Sequence, residues 1–179
     1  DLALLAGERP DRVPTDYWAT GEVTERLQRE LGCPTPEALY EKLHIDRPDF
    51  VGAPCTAPGH PAIPGANIWG VQHRVVDYGS GAYAEVASHP LANMTTVAEI
   101  DAFAWPDPDA HDFEALRAQL RRLDGRRLVC CGNYEPFLLY CAMRGMEQAM
   151  IDLLAEPELA DAILGHLFDY HYRRNARQF

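Results

Sequence analysis

The stretch from Asn67 to Asp109, NIWGVQHRVVDYGSGAYAEVASHPLANMTTVAEIDAFAWPDPD, leaves the backbone few choices. Trp69, Val71, Val75 and Tyr78 supply the β-branched and aromatic residues of a strand. Gly79-Ser80-Gly81 tolerates the positive φ that a tight turn needs, and Tyr83, Glu85 and Val86 resume the extended pattern. The spacing predicts a β-hairpin over about 67–88. His89-Pro90-Leu91 then breaks the strand, and Thr95-Thr96 followed by Glu99 predicts a capped helix start. Trp105-Pro106-Asp107-Pro108 forbids further helix, so a stiff turn follows.

Strand and helix signals alternate around this hairpin. Val13, Tyr17 and Trp18 suggest a first strand over 12–18. Val23, Leu27 and Leu31 give one apolar helical stripe, ended by Gly32 and Pro34. Thr35-Pro36-Glu37 opens a second helix, with threonine as cap and proline at the first position, running to His44. A short strand is expected at 49–52. Residues 53–65, with four prolines and two glycines, read as a surface loop. Phe113, Leu116, Leu120 and Leu123 mark an amphipathic helix stopped at Asp124-Gly125. The apolar run Arg127 to Gly132, RLVCCG, is the best parallel-strand candidate. The remainder is helical, broken at Gly145 and at Pro157. Such alternation is that of an α/β fold in a single domain, 1–179, with the hairpin inserted.

Charge excludes some partners. The chain carries 27 acids against 16 bases, a net charge of -11, with Lys42 the only lysine. That balance disfavours nucleic acid and anionic membranes. The arginines 117, 121, 122, 126 and 127 form the nearest thing to a basic patch and read as a solvated helix face. No apolar run reaches the roughly 20 residues that span a bilayer. Five cysteines without a paired spacing indicate reduced thiols and a cytoplasmic protein.

Four stretches resemble the uroporphyrinogen decarboxylase superfamily: Arg9-Pro-Asp-Arg-Val-Pro-Thr-Asp-Tyr-Trp18, Trp69-Gly70-Val71 through Pro90-Leu91, Ala104-Trp-Pro-Asp-Pro-Asp109, and Arg144-Gly-Met-Glu147 through Glu158. The resemblance implies a (β/α)8 TIM barrel. Such a barrel takes about 250 residues, so the chain is expected to be its incomplete N-terminal half. The decarboxylases of this superfamily are expected to carry an arginine-rich loop of the form RQAGRY after the first strand and an aspartate after the second. Here those places hold Tyr17-Trp18-Ala19-Thr20-Gly21 and Phe50-Val51-Gly52-Ala53-Pro54-Cys55. Both departures favour the corrinoid-linked methyltransferase branch. That branch implies methyl transfer between a small methylated substrate and a corrinoid on a partner protein, with zinc held by a His-x-Cys motif and a second Cys in the other half of the barrel. One alternative is uroporphyrinogen decarboxylation in porphyrin biosynthesis, which needs no cofactor; another is a non-catalytic barrel or interaction module.

On the barrel reading, reacting groups belong at the C-terminal ends of strands. That selects Asp16, Tyr134 and Glu135 as candidate acids or bases, and Tyr17, Trp18, Asn133 and His60 as substrate-binding groups. The plainer account makes Asn133 a helix cap, Glu135 a partner of the helix dipole and the aromatics packing residues. Cys130 and Cys131, adjacent in a strand, point to opposite faces and do not make a metal pair. His166 and His171, five apart on a helix, also miss ligand spacing. No phosphate loop or GxSxG is present. The hairpin aromatics Trp69, Tyr78 and Tyr83 suggest a homodimer contact or packing on the barrel rim.

Overall fold

A computed structural model describes residues 2–123, 127–131 and 135–178. Their element order is α1 (Leu2–Leu5), α2 (Gly21–Leu31), α3 (Pro36–Lys42), β1 (Asp49–Val51), β2 (Gln72–Asp77), β3 (Ala82–Ser88), α4 (Val97–Asp101), α5 (Phe113–Leu120), β4 (Val129–Cys131), α6 (Pro136–Arg144), α7 (Met146–Ala155) and α8 (Pro157–Gln178). The fold is mixed α/β. Among the described residues the sheets are two-stranded: β1 pairs with β4 in parallel, and β2 with β3 antiparallel. No closed barrel is present among them.

Local chemistry sets most boundaries. Thr35 Oγ1 accepts from Ala38 N at 3.2 Å, and Pro36 sits at the first position of α3. Gly32 takes φ 66° and ends α2, a conformation that costs a residue with Cβ. Thr96 and Glu99 form a reciprocal capping box at α4: Glu99 N donates to Thr96 Oγ1 at 3.2 Å, and Thr96 N donates to the Glu99 carboxylate at 3.0 Å. Gly79, at φ 88°, turns the hairpin, and the Asp77 carboxylate accepts from its N–H at 2.7 Å.

The core lies where α6, α7 and α8 close over the segment leading into the hairpin. On α8 the buried positions Leu159, Ala160, Ile163, Leu167, Tyr170 and His171 recur every three to four residues, one face of a helix. That face meets Trp69, Val71, Leu91, Ile100, Tyr140, Met143 and Ala149. Trp69 packs edge-on against Tyr170, ring centroids 4.6 Å apart, and stacks on His171 at 5.5 Å. Asn67 fixes this segment by accepting from Trp69 N and Val71 N, each at 3.0 Å. One buried ion pair ties α6 to α7. Arg144 Nε donates to Asp152 at 2.6 Å, and Arg144 Nη1 donates to the carbonyls of Leu91 and Met94. It thereby caps carbonyls of the 91–94 turn that no helix or strand satisfies.

Several expectations are corrected. The first strand over 12–18 does not form. Its backbone is claimed by 44–46 instead: Thr15 N and the Arg12 guanidinium donate to the Asp46 carboxylate, and Asp46 N donates to Thr15 O. Trp69 precedes the hairpin strands and is 8% exposed, so it is a core residue and not a free contact aromatic. Tyr78 and Tyr83 are half exposed at the hairpin end, ring centroids 6.2 Å apart, and Tyr78 Oη reaches Glu22 of α2 at 3.5 Å. The Pro-rich loop is not wholly superficial. Thr56 N bonds Ala110 O, Asp112 N bonds Pro54 O, and His60 is buried. Among the described residues no helix is long and apolar enough to cross a membrane.

Candidate functional site

Two of the hollows among the described residues hold ionisable and aromatic side chains together. The larger, about 390 Å³, lies between the entry to the hairpin and helices α6 and α8. Trp69 and Val71 line it with His73, the first outward-facing residue of β2, and α6 contributes Leu138, Leu139 and Ala142. Glu135, one residue before α6, stands at the rim, where the unpaired N–H groups of a helix start favour negative charge. Arg174 and His171 approach from α8. Burial, with the nearby Arg174 and His111, holds the His171 imidazole down at about 4, so the ring is neutral at pH 7. A carboxylate, a guanidinium and two imidazoles therefore surround an indole-walled space. That set can orient a small polar ligand and move a proton.

Tyr170, beside it on α8, is hydrogen-bonded to half-buried His111. His111 Nε2 lies 2.7 Å from Tyr170 Oη, and His111 Nδ1 lies 3.1 Å from Ala53 O. Since one imidazole nitrogen faces a carbonyl, that nitrogen carries the proton in the neutral ring, and Nε2 accepts from the phenol. Burial pushes the Tyr170 phenol up to about 12, which keeps it a hydrogen-bond donor.

The smaller hollow, about 250 Å³, is lined by Asp16, Tyr17, Trp18, Ala19, Thr24, Tyr40, Arg47 and Phe50. Tyr17 Oη and Thr24 Oγ1 are 3.0 Å apart, joining the 12–18 segment to α2, and the Tyr17 and Tyr40 rings lie 5.5 Å apart. Asp16 accepts from Tyr17 N at 2.7 Å and from Trp18 Nε1 at 2.5 Å.

The predicted site residues thus separate. Asp16, Tyr17 and Trp18 share one hollow and Glu135 lines the other, with no lining residue in common. The expectation of one mouth shared by these groups is not met among the described residues. Asn133 and Tyr134 lie outside the described residues. His60 joins neither hollow: its Nδ1 accepts from Ala62 N at 3.2 Å, and its ring stacks on Phe103 at 4.9 Å. His166 and His171 face different neighbours. His166 Nε2 meets Asp101 at 2.9 Å and the ring stacks on Trp105, whereas His171 stacks on Trp69.

Sequence reasoning missed Tyr40, Arg47, His73 and Arg174. His73 carried the one usable signal, an ionisable residue in the alternating part of a predicted strand. The others are brought in by helices whose docking only the fold sets. Cys131 Sγ donates to Gln178 Oε1 at 2.7 Å, and burial pushes its thiol up, so it is not an activated thiolate.

The class that fold and site define is a mixed α/β protein whose described residues include small-molecule-sized hollows lined by ionisable and aromatic side chains. Compared with models of known protein families, with curated proteins and with solved structures, the chain matches none.

Proposed function

We propose that the chain belongs to a (β/α)8 enzyme of the uroporphyrinogen decarboxylase superfamily, in its methyltransferase branch. It passes a methyl group between a small methylated substrate and a corrinoid on a partner protein. The parallel β1–β4 pair carries the reading: two neighbouring strands joined through a long crossover, with the hairpin as an insertion in it. Barrels are assembled from such pairs. Glu135, four residues after β4 in sequence, lines the larger hollow.

In that hollow Glu135 and His73 hold or take a proton, Arg174 balances charge on a bound substrate, and Trp69 keeps one wall apolar. A corrinoid supplies the cobalt centre that exchanges the methyl group. Among the described residues no group of three or more His, Cys, Asp or Glu side chains lies together to hold a metal ion. No zinc ligand is therefore assigned to them, and no step is drawn through one. The five cysteines form no disulfide, which fits a reducing compartment.

On this reading the half-barrel alone is inactive, so the test incubates the purified full-length parent protein with methylated donors and cob(I)alamin, and in parallel with uroporphyrinogen. Expected is cobalamin methylation, lowered about a hundredfold by Glu135→Gln. Carbon dioxide release from uroporphyrinogen in its place would move the protein to the decarboxylase branch. Inactivity in both would favour the interaction module.

A further inference from the structure

The smaller hollow sets a guanidinium and a carboxylate around one space without pairing them with each other. Arg47 lies over two rings, with its guanidinium carbon 5.0 Å from the Tyr40 centroid and 5.8 Å from that of Phe50, and its Nη1 donates to Tyr40 Oη at 2.5 Å. Among the described residues it has no carboxylate partner. Its remaining N–H donors are thus held in a fixed fork, the geometry that carboxylates select. Asp16 stands on the same hollow and forms no ion pair with Arg47. Its carboxylate instead anchors the indole of Trp18. Trp18 is 87% exposed and Phe50 64% exposed. Exposed aromatics that are tethered in place contribute little to the core and offer faces to a ligand.

We infer that this hollow binds a small zwitterion bearing an N-methylated ammonium and a carboxylate. The carboxylate meets the Arg47 fork, and the ammonium meets the faces of Trp18 and Tyr17 beside Asp16. A net-neutral site with separated charges matches a net-neutral ligand whose charges are also separated. A simple anion would face Asp16 and a simple cation would face Arg47, each at a like-charge cost. Methylation suits the aromatic walls, because a methylated ammonium sheds water easily and is attracted to ring faces. This binding does not rest on the methyltransferase reading above, which places its substrate in the other hollow.

The test is calorimetric titration of the protein, without corrinoid, using trimethylglycine and 3,3-dimethylbutanoate. The second is the uncharged-carbon isostere of the first and keeps its carboxylate. Expected is trimethylglycine binding about tenfold tighter than the isostere. Arg47→Met should weaken both ligands, and Trp18→Ala and Asp16→Asn should remove the preference for trimethylglycine, while circular dichroism shows each variant folded. Equal affinity for the two ligands would overturn the proposal, as would no heat with trimethylglycine or an unchanged preference in folded Trp18→Ala. Because no methyl group moves in this assay, its failure is distinct from failure of cobalamin methylation.

Discussion

Replacing Asp152 by Asn removes a charge from the centre of the helical core at nearly constant volume. The side chains of Arg144 and Asp152 are 4% and 0% exposed. Asp152 accepts from Arg144 Nε at 2.6 Å, Arg144 Nη2 at 3.4 Å and Gln148 Nε2 at 2.7 Å. The single amide oxygen of an asparagine can keep either the Arg144 Nε bond or those from Arg144 Nη2 and Gln148, and in both orientations its amide hydrogens face an Arg144 donor. The guanidinium retains the Leu91 and Met94 carbonyls yet loses its counter-charge. Breaking a buried pair from one side costs about 3–5 kcal/mol, and the retained contacts place Asp152→Asn near about 3 kcal/mol. For a chain of this size that is a fall in Tm of about 6–12 °C. Burial by itself pushes the Asp152 carboxyl up, but the hydrogen bonds from Arg144 and Gln148 and the guanidinium charge outweigh it, and the net shift is downward. A carboxyl lowered on folding contributes stability that is complete above its unfolded value of about 3.9 and is lost as pH falls through the lowered folded one. Urea denaturation followed by circular dichroism from pH 7 to pH 3 therefore has two readouts: a lower midpoint at neutral pH and a shallower acid limb for the variant. A cost under about 1 kcal/mol, or an acid limb parallel to wild type, would refute the reasoning. The double variant Arg144→Met/Asp152→Leu should recover much of the loss if charge desolvation dominates, as a second denaturation series would show.

His171 contributes in the same sense on a different part of the pH scale. Its folded pKa, about 4, lies below the unfolded value of about 6.5, so stability rises with pH between them, and His171→Phe should flatten that part of the curve. Thr96→Ala removes the acceptor of the α4 capping box and should cost about 1 kcal/mol in equilibrium denaturation. A full return of stability in Thr96→Ser, and none in Thr96→Val, would tie the loss to the hydroxyl. At Gly70, φ is 77°, and an added Cβ would lie 3.1 Å from both Ile63 Cδ1 and Phe103 Cζ. Gly70→Ala combines backbone strain with crowding and should cost about 2–3 kcal/mol. Gly79→Ala, with a similar φ in open space, should cost about 1 kcal/mol, and equal midpoints for the two would sink the crowding argument.

Elements whose signals are short-range were legible in the sequence. The hairpin turn, the Thr35 and Thr96 caps, the end of α2 at Gly32 and the breaks at Gly145 and Pro157 all follow from residues within one turn of the feature they set. Backbone sterics and capping hydrogen bonds act over that range, so local sequence suffices. What failed was long-range. Residues 12–18 have the composition of a strand, but a strand exists only beside a partner, and here Asp46 takes the backbone groups that a ladder would need. Trp69 reads as a hairpin aromatic, yet Asn67 turns the chain and α8 covers it.

The same division holds for the candidate sites. The sequence placed Asp16, Tyr17 and Trp18 together, because adjacent residues cannot be far apart. It could not pair them with Arg47 and Phe50, nor bring His73 and Arg174 to Glu135. Those meetings depend on how α2, α3, α6 and α8 dock. Docking is decided by the summed burial of many apolar side chains that no single position reveals. The sequence by itself determined which segments turn, cap and extend. Only the tertiary structure decided which polar side chains remain facing a common space once the apolar ones are buried.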